Sequence, residues 1–358
     1  MNFPGKIFSI LCFLIFLATL SSCSKHGYQA KITDPVYYPT PPDTARIQFL
    51  TSYGNSIDIT GQQSKFKTFV AGEEKPLPIL KPYGLAIHQG KIFIADAAIS
   101  GFEVIDLEKN TFSYYIPEGR GKLLLPINCF IDADGSMYVS DVNRKQIVIF
   151  NKNLEFKGTI GGDENFKPAD VFVFRDTVFV TDPKNNRINV YNKESLQYLS
   201  SFPTKAKVGD DNWLYNPLNL FVSEGKIYIT DFGHSRIKIF TTHGEFIGSV
   251  GSYGRGFGQL VRPKGIAVDR DKILFVVDAG FQNIQMFDEK NNLLMFFGGS
   301  TGKSGDMYLP AKVTLDYNHL HHFEKYVNPT FNLKYLIFVT NQYGSDKINV
   351  YGRIEPKF

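Results

Sequence analysis

The sequence predicts an all-β fold, a six-bladed β-propeller of four-stranded antiparallel blades in which an N-terminal strand closes the ring by completing the last blade. Three observations predict it. A Pro-x-x-apolar-x-apolar start recurs six times after residue 80. A strand that ends in an acid or its amide follows each start, and a third strand comes after a short turn. Alternating polarity, β-branched and aromatic residues and frequent turn residues are typical of antiparallel sheets.

The composition fits a folded protein that is rich in strands and turns. Hydrophobic residues make up 43% and charged residues 21% of the 358 residues, so the chain can bury a large core. Aromatic residues reach 15%, and 31 glycines accompany them. The 39 basic and 35 acidic residues leave a net charge of +4, too small an excess to indicate a nucleic-acid partner.

Residues 1–22 are predicted to be a lipoprotein signal peptide. Lys6 precedes an apolar run from Ile7 to Leu20, which is short for a membrane span but fits a signal sequence. The run LSSC that ends at Cys23 resembles a bacterial lipobox, in which the cysteine becomes the diacylglyceryl-modified first residue of the mature chain. An ordinary signal peptide with an incidental cysteine and a short anchor helix are the alternatives.

The segment 23–44 is predicted to be the lipidated Cys23 followed by a tether. It contains four prolines and little periodic hydrophobicity, which is typical of an extended spacer. Ser24 follows the lipid site, so this position does not carry the Asp-type retention signal of the inner membrane. We therefore expect an exported protein that is lipid-anchored to the cell envelope, at the outer membrane where the cell has one.

Six repeats predict the propeller, at residues 45–358. Their spacings of 44, 42, 49, 46 and 47 residues fit four-stranded propeller blades, whereas the coils of a linear β-solenoid are shorter. The repeats start at Pro82, Pro126, Pro168, Pro217, Pro263 and Pro310.

The sixth repeat lacks an outer strand, because the chain runs out soon after INVYG at 348–352. The segment 45–54, ARIQFLTSYG, has no repeat of its own and looks like EFIGSVGSYG at 245–254, the fourth strand of the fourth repeat. We therefore expect 45–54 to complete blade six and to remove the open edge of the ring.

The acids that end the second strands could suggest a ring of metal ligands or catalytic groups. One acid at the same place in every blade is also what a turn cap requires, since a carboxylate accepts backbone N–H groups in the adjoining loop. The amide in blade six can cap but would serve poorly as a catalytic acid. We predict structural turn caps at Asp96, Asp141, Asp182, Asp231, Asp278 and Asn341.

Blades four and five resemble NHL repeats most closely. They read PLNLFVSEGKIYITDFGHSRIKIFTTHGEFIGSVGSYGRGFGQLVRPKGIAVD from 217 to 269. The resemblance implies the propeller fold but little about function, because NHL-like propellers include RNA binders, protein-interaction modules, sensor ectodomains and a few lyases. The PPDTARIQFL start and YLIFVTNQYGSDKINVYG ending resemble exported bacterial lipoproteins of this fold.

In NHL-like propellers the turns after the second strands share one face with the loops that lead into each blade. In this chain those segments are rich in aromatic residues and arginine, which is the composition of an interaction surface. Turn solvation or pairing with the strand-end acids is the alternative explanation of the arginines. The candidate binding face consists of Arg144, Arg187, Trp213, Tyr215, Arg236, Tyr253, Arg255 and Arg262.

The histidines of the insertion at about 317–334 are weak candidates for a metal site, and we predict no metal or other cofactor. His319 and His321 would point the same way on a strand, with Asp316 or Glu324 supplying a third ligand.

NHL-like lyases and lactonase-type propellers use histidine or acidic ligands that converge on the central channel. If this chain were such an enzyme, the resemblance implies ligands of that kind in its channel. Here the corresponding first-strand row is mostly aliphatic, so we expect packing rather than a convergent polar cluster, and Cys129 as a buried small hydrophobe. The row is Leu85, Cys129, Val171, Leu220, Ile266 and Val313.

The leading hypothesis is a lipid-anchored envelope propeller that binds a protein partner or a ligand without catalysis. The alternative is an envelope enzyme of the lyase or lactonase type that needs a bound metal. RNA binding is disfavoured by the export signal and the small net charge.

Overall fold

A computed structural model describes residues 35–63, 68–69 and 72–357. The predicted signal peptide, Cys23 and the first part of the predicted tether lie outside the described residues, so those predictions stay predictions. Among the described residues, none of the helices has the length and apolar character needed to cross a membrane.

The N-terminal elements are two strands and one short helix. They are β1 (Tyr37–Tyr38), β2 (Ile47–Tyr53) and α1 (Ile57–Thr60). One-turn 3-10 helices occur later in the connecting loops, at Gly119–Gly121, Phe232–His234, Leu320–His322 and Glu324–Tyr326.

Blades one to five each consist of four antiparallel strands that follow one another in the chain. Those of blades one to three are β3 (Pro82–His88), β4 (Lys91–Asp96), β5 (Gly101–Asp106), β6 (Thr111–Tyr115), β7 (Pro126–Ile131), β8 (Met137–Asp141), β9 (Gln146–Phe150), β10 (Phe156–Gly161), β11 (Val171–Phe174), β12 (Thr177–Asp182), β13 (Arg187–Asn192) and β14 (Tyr198–Phe202). Those of blades four and five are β15 (Pro217–Ser223), β16 (Lys226–Asp231), β17 (Arg236–Thr241), β18 (Phe246–Val250), β19 (Pro263–Val268), β20 (Leu274–Asp278), β21 (Asn283–Phe287) and β22 (Leu293–Gly298).

Blade six combines both ends of the described chain. Its C-terminal strands are β23 (Pro310–Asp316), β24 (Phe331–Asn341) and β25 (Ile348–Pro356). The sheet order is β1-β2-β25-β24-β23, with Ile47 opposite Arg353 and Tyr53 opposite Ile348. The predicted closure by 45–54 is thereby confirmed. A fifth strand that the sequence analysis did not include, β1, pairs with β2 from within the segment predicted as the tether.

The six sheets form a ring. The first strand of each blade contacts the first strand of the next, and β23 returns to β3. The predicted six-bladed propeller is therefore confirmed. Because a blade exposes two faces, the core lies in layers between neighbouring blades, and Ile47 of β2 is fully buried in the layer between blades five and six.

We expect closure to contribute strongly to stability. Ile47→Ala would create a cavity in an interblade layer and should reduce the free energy of unfolding by about 2–5 kcal/mol. Ile247→Ala is the matched control, because Ile247 also lies on the outer strand of a blade but is 48% exposed. Its effect should stay within about 0.5 kcal/mol. If chemical denaturation showed no greater loss for Ile47→Ala than for Ile247→Ala, the predicted contribution of the buried Ile47 side chain would be contradicted.

Candidate binding face and central channel

The strand-end acids join two loops at one end of each blade. Asp278 accepts hydrogen bonds from the backbone N–H groups of Val261 and Arg262, in the loop that leads into blade five, and of Gly280 in the following turn. We call the loop that leads into an inner strand the approach loop. The same carboxylate contacts both segments. The approach loops and the turns that follow the second strands therefore share one face of the propeller.

The other blades repeat this arrangement. Each strand-end oxygen accepts from the approach loop, at Leu80 and Lys81 (Asp96), Leu124 and Leu125 (Asp141), Lys167 (Asp182), Tyr215 (Asp231) and Tyr308 (Asn341). All six side chains are fully buried. Backbone N–H groups therefore donate to all six strand-end side chains, as they do in a turn cap.

Blade one adds a second buried acid beside this cap. Glu103 lies on β5 next to Asp96, and burial, then the charge of Asp96, raises the pKa of Glu103 to about 10. Asp96 accepts three backbone N–H groups. With a pKa of about 10, Glu103 is protonated at neutral pH.

Two of the predicted binding arginines contact groups within the fold. The Arg144 guanidinium donates to the backbone oxygens of Arg120 and Lys122, and its Nε lies 3.0 Å from Gln146 Oε1. Arg187 Nε lies 3.8 Å from Asp182 Oδ2. Arg144 therefore connects to the approach loop of blade two, whereas Arg187 pairs with a strand-end acid and keeps 40% of its side chain exposed.

Blade four carries an aromatic cluster on the same face. Trp213 and Tyr215 stack with ring centroids 5.4 Å apart and an interplanar angle of 12°. His234 packs edge-on against Trp213 at 5.1 Å, and its Nδ1 lies 2.7 Å from Asp231 Oδ2. The buried Lys238 donates to the backbone oxygen of Trp213. The strand-end cap thus fixes the orientation of the cluster.

The approach loop of blade five is a structured glycine-rich loop. Leu260 N donates to Ser252 O at 2.8 Å, and Gly256 N donates to Gln259 Oε1 at 2.7 Å. Gly254 has a φ of 157°, which residues with a side chain rarely adopt, and a Cβ there would displace the Gln259 side chain. These contacts hold Tyr253 and Phe257 outward into solvent.

Exposed aromatic side chains therefore follow one another over blades four to six. They are Tyr215 at 49%, Tyr253 at 73%, Phe257 at 88% and Tyr343 at 63% exposed. We call these four and Trp213 the aromatic arc. The exposed Arg255 and Arg262 and the partly buried Arg236 stand among them. Tyr343, in the turn between β24 and β25, was not a predicted site residue, because aromatic composition alone does not reveal exposure.

A lysine stands at the channel mouth on the same face. Lys264 follows Pro263 at the start of β19, and its Nζ donates to Gln342 Oε1 at 3.1 Å and lies 5.4 Å from the centre of the Tyr83 ring. Burial, then the charge of Arg262, lowers the pKa of Lys264 to about 8. Lys264 therefore keeps most of its charge at pH 7 and loses it in mildly alkaline solution.

The channel itself contains a polar cluster that contradicts the sequence analysis. Lys312 of blade six reaches across the ring to Asp170 of blade three, with Nζ 2.8 Å from Oδ2. Asn219 Nδ2 donates to the same oxygen at 3.1 Å, and Asn128 Nδ2 donates to the backbone oxygen of Ala169. The expectation of no convergent polar cluster was wrong, because these residues immediately precede the aliphatic row and differ in type between blades.

The aliphatic row is buried. It comprises Leu85, Cys129, Val171, Leu220, Ile266 and Val313. Burial raises the pKa of the Cys129 thiol to about 12, which does not suit a nucleophile.

The histidine prediction requires a correction. His321 lies in the 3-10 helix Leu320–His322 and His319 immediately precedes it, so neither is on a strand and the alternation argument does not apply. Gly90 N donates to His319 Nε2 at 2.9 Å, which leaves Nδ1–H to donate to Asp316. His319 is thereby committed to the fold.

Comparisons with known proteins agree with this architecture. A family described as a 6-bladed beta-propeller matches residues 207–355. This chain is a six-bladed β-propeller. Among curated proteins, Protein brain tumor of Drosophila melanogaster is 28% identical over 166 residues, a match that covers 45% of this chain and 15% of that protein's length.

Solved structures show the same fold at low identity. A Bacteroides thetaiotaomicron protein of unknown function has a TM-score of 0.56 and 14% identity, covering 87% of this chain and 76% of its own. A catalytically inactive virginiamycin B lyase from Staphylococcus aureus with quinupristin has a TM-score of 0.53 and 15% identity, covering 76% and 95%. Likeness at this level establishes the fold alone.

The cross-channel pair gives a stability prediction. Lys312→Met leaves Asp170 buried without its cation and should cost about 3 kcal/mol. The double variant with Asp170→Asn should recover at least half of that loss, as measured by chemical denaturation. Lys334→Met is the control, because its partner Glu355 at 3.4 Å is about half exposed, and its cost should stay below about 1 kcal/mol. A double variant no better than Lys312→Met would contradict the pairing.

The protonated Glu103 gives a pH prediction. Its folded-state pKa of about 10 exceeds that of an exposed glutamate, about 4.3, so between these values the native state holds an extra proton. Its contribution to stability therefore falls as pH rises, by up to about 1.4 kcal/mol per pH unit. Glu103→Gln keeps the shape without the titration. Its free energy of unfolding relative to wild type should increase from pH 6 to pH 9, and parallel curves would refute the assignment.

Proposed function

We propose that this chain is a lipid-anchored cell-envelope propeller that binds a protein partner through the aromatic arc and does not catalyse a reaction. The arc is the observation that carries the proposal. A group of exposed apolar side chains on one face is typical of an interaction site, whereas single scattered ones are ordinary.

The chemistry of the arc fits a protein partner. Tryptophan, tyrosine and arginine are the residues that most often dominate binding energy at protein interfaces. The stacked pair of Trp213 and Tyr215 and the hydrogen-bonded loop around Tyr253 are held by the fold, so little conformational entropy is lost on binding. Arg255 and Arg262 favour a partner surface that carries acidic groups at its rim.

The channel supports a structural role better than a catalytic one. Lys312 neutralises Asp170, and Asn219 and the Leu220 N–H also donate to the same carboxylate. A catalytic or metal-binding carboxylate would need a free oxygen. The alternative, an envelope lyase or lactonase-type enzyme, would gain support from a substrate that the chain turns over and that Asp170→Asn abolishes.

Envelope attachment rests on the sequence pattern that ends at Cys23. The residues around Cys23 lie outside the described part of the chain, so the anchor is argued from the sequence alone. The anchor supplies the membrane association in this proposal, and the propeller supplies the recognition.

Capture from native membranes tests the binding proposal. The tagged wild-type lipoprotein should retain a discrete protein that the double variant Tyr253→Ser/Phe257→Ser loses. Truncation of two central aromatic anchors should weaken binding at least about 30-fold.

The matched control changes two equally apolar side chains of the same blade. Leu294→Ser/Phe296→Ser alters the outer strand β22, where both residues are about half exposed. This control bait should recover the partner as the wild type does. A partner that both variants lose, or both keep, would contradict binding through the arc.

A further inference from the structure

The insertion of blade six meets the last hairpin of blade one at a group of metal-ligating side chains. Glu108 follows β5, and His321 and His322 end the 3-10 helix Leu320–His322. Their donor atoms all lie within 4.8 Å of one another. This group lies at the end of the blades opposite to the aromatic arc and outside the channel, so it is independent of the proposed binding function.

The distances suit a transition metal ion. His322 Nε2 is 3.2 Å and His321 Nε2 is 3.7 Å from Glu108 Oε1, and the two imidazole rings have centroids 3.9 Å apart. Ligands on a tetrahedral zinc ion with bonds of about 2.0–2.1 Å are separated by about 3.3 Å. An ion could therefore replace the direct contacts with side-chain movements of less than about 1 Å.

The fold holds these ligands in place. Leu320 and the fully buried Phe323 flank the histidine pair and pack into the layer between blades six and one, with the Phe323 ring 5.6 Å from Phe338. Gly90 contacts both segments. Its N–H donates to His319, and its lack of a Cβ leaves room for Glu108, whose Cγ would be 3.2 Å from a Cβ there.

We propose that Glu108, His321 and His322 bind a divalent transition metal ion, with zinc as the best match, and that the ion links blade one to blade six. Two imidazole nitrogens and one carboxylate oxygen are ligands that zinc accepts, and solvent can supply the fourth. Both histidines belong to blade six, which closes the ring, so the ion would stabilise the contact between blade six and blade one.

Zinc titration of the tag-free full-length chain in detergent tests the site. After chelator treatment, calorimetry with zinc chloride should show one ion per chain, and saturating zinc should raise the Tm by about 2–5 °C. His322→Ala and Glu108→Gln should each weaken zinc binding at least tenfold and abolish the Tm shift. His321→Ala should do the same, and its exposed side chain makes misfolding an implausible cause.

His243→Ala is the control, because His243 is an exposed histidine on blade four. It should bind zinc as the wild type does. Cobalt gives a second measurement, since the wild type should show the visible absorption of four-coordinate cobalt and His322→Ala should not. No zinc binding by the wild type, or binding that all three ligand variants retain, would overturn the proposal.

Discussion

The pairing of β2 with β25 is the constraint on which the rest of the molecule depends. Backbone hydrogen bonds between the two ends of the described chain convert six sheets into a closed ring. Without β2, blade six would have an open edge and the layer around Ile47 would lose a buried side. This closure positions the packed layers on both sides of blade six. It also positions the approach loops that face solvent.

The interior of the closed ring and its approach-loop face carry different kinds of side chain. Inside, charges are matched, by Lys312 with Asp170 across the channel and by backbone donors with the strand-end acids. Removing one partner from such a buried contact would destabilise the fold. At the approach-loop face, aromatic and arginine side chains remain exposed on blades four to six. These exposed side chains form the surface that the proposed binding function uses.

The fold was predictable because its determinants repeat. The Pro starts, the strand-end acids and the unpaired segment 45–54 gave the blade number and the closure. The channel cluster was not predictable in this way, because Asp170 and Lys312 are 142 residues apart and their position in the repeat is occupied by four different residue types over the six blades. The meeting of Glu108 with His322 likewise depends on an insertion folding against another blade, which no local pattern encodes.

Site-specific photocrosslinking in living cells tests the central claim, that the aromatic arc contacts a partner. A photoreactive amino acid at Tyr253 should yield a discrete crosslinked protein, whereas the same group at Phe296, on the outer strand of the same blade, should not. Crosslinking at short range requires contact in the native envelope and does not depend on surviving purification. Equal products at both positions, or a product at Phe296 alone, would contradict the account.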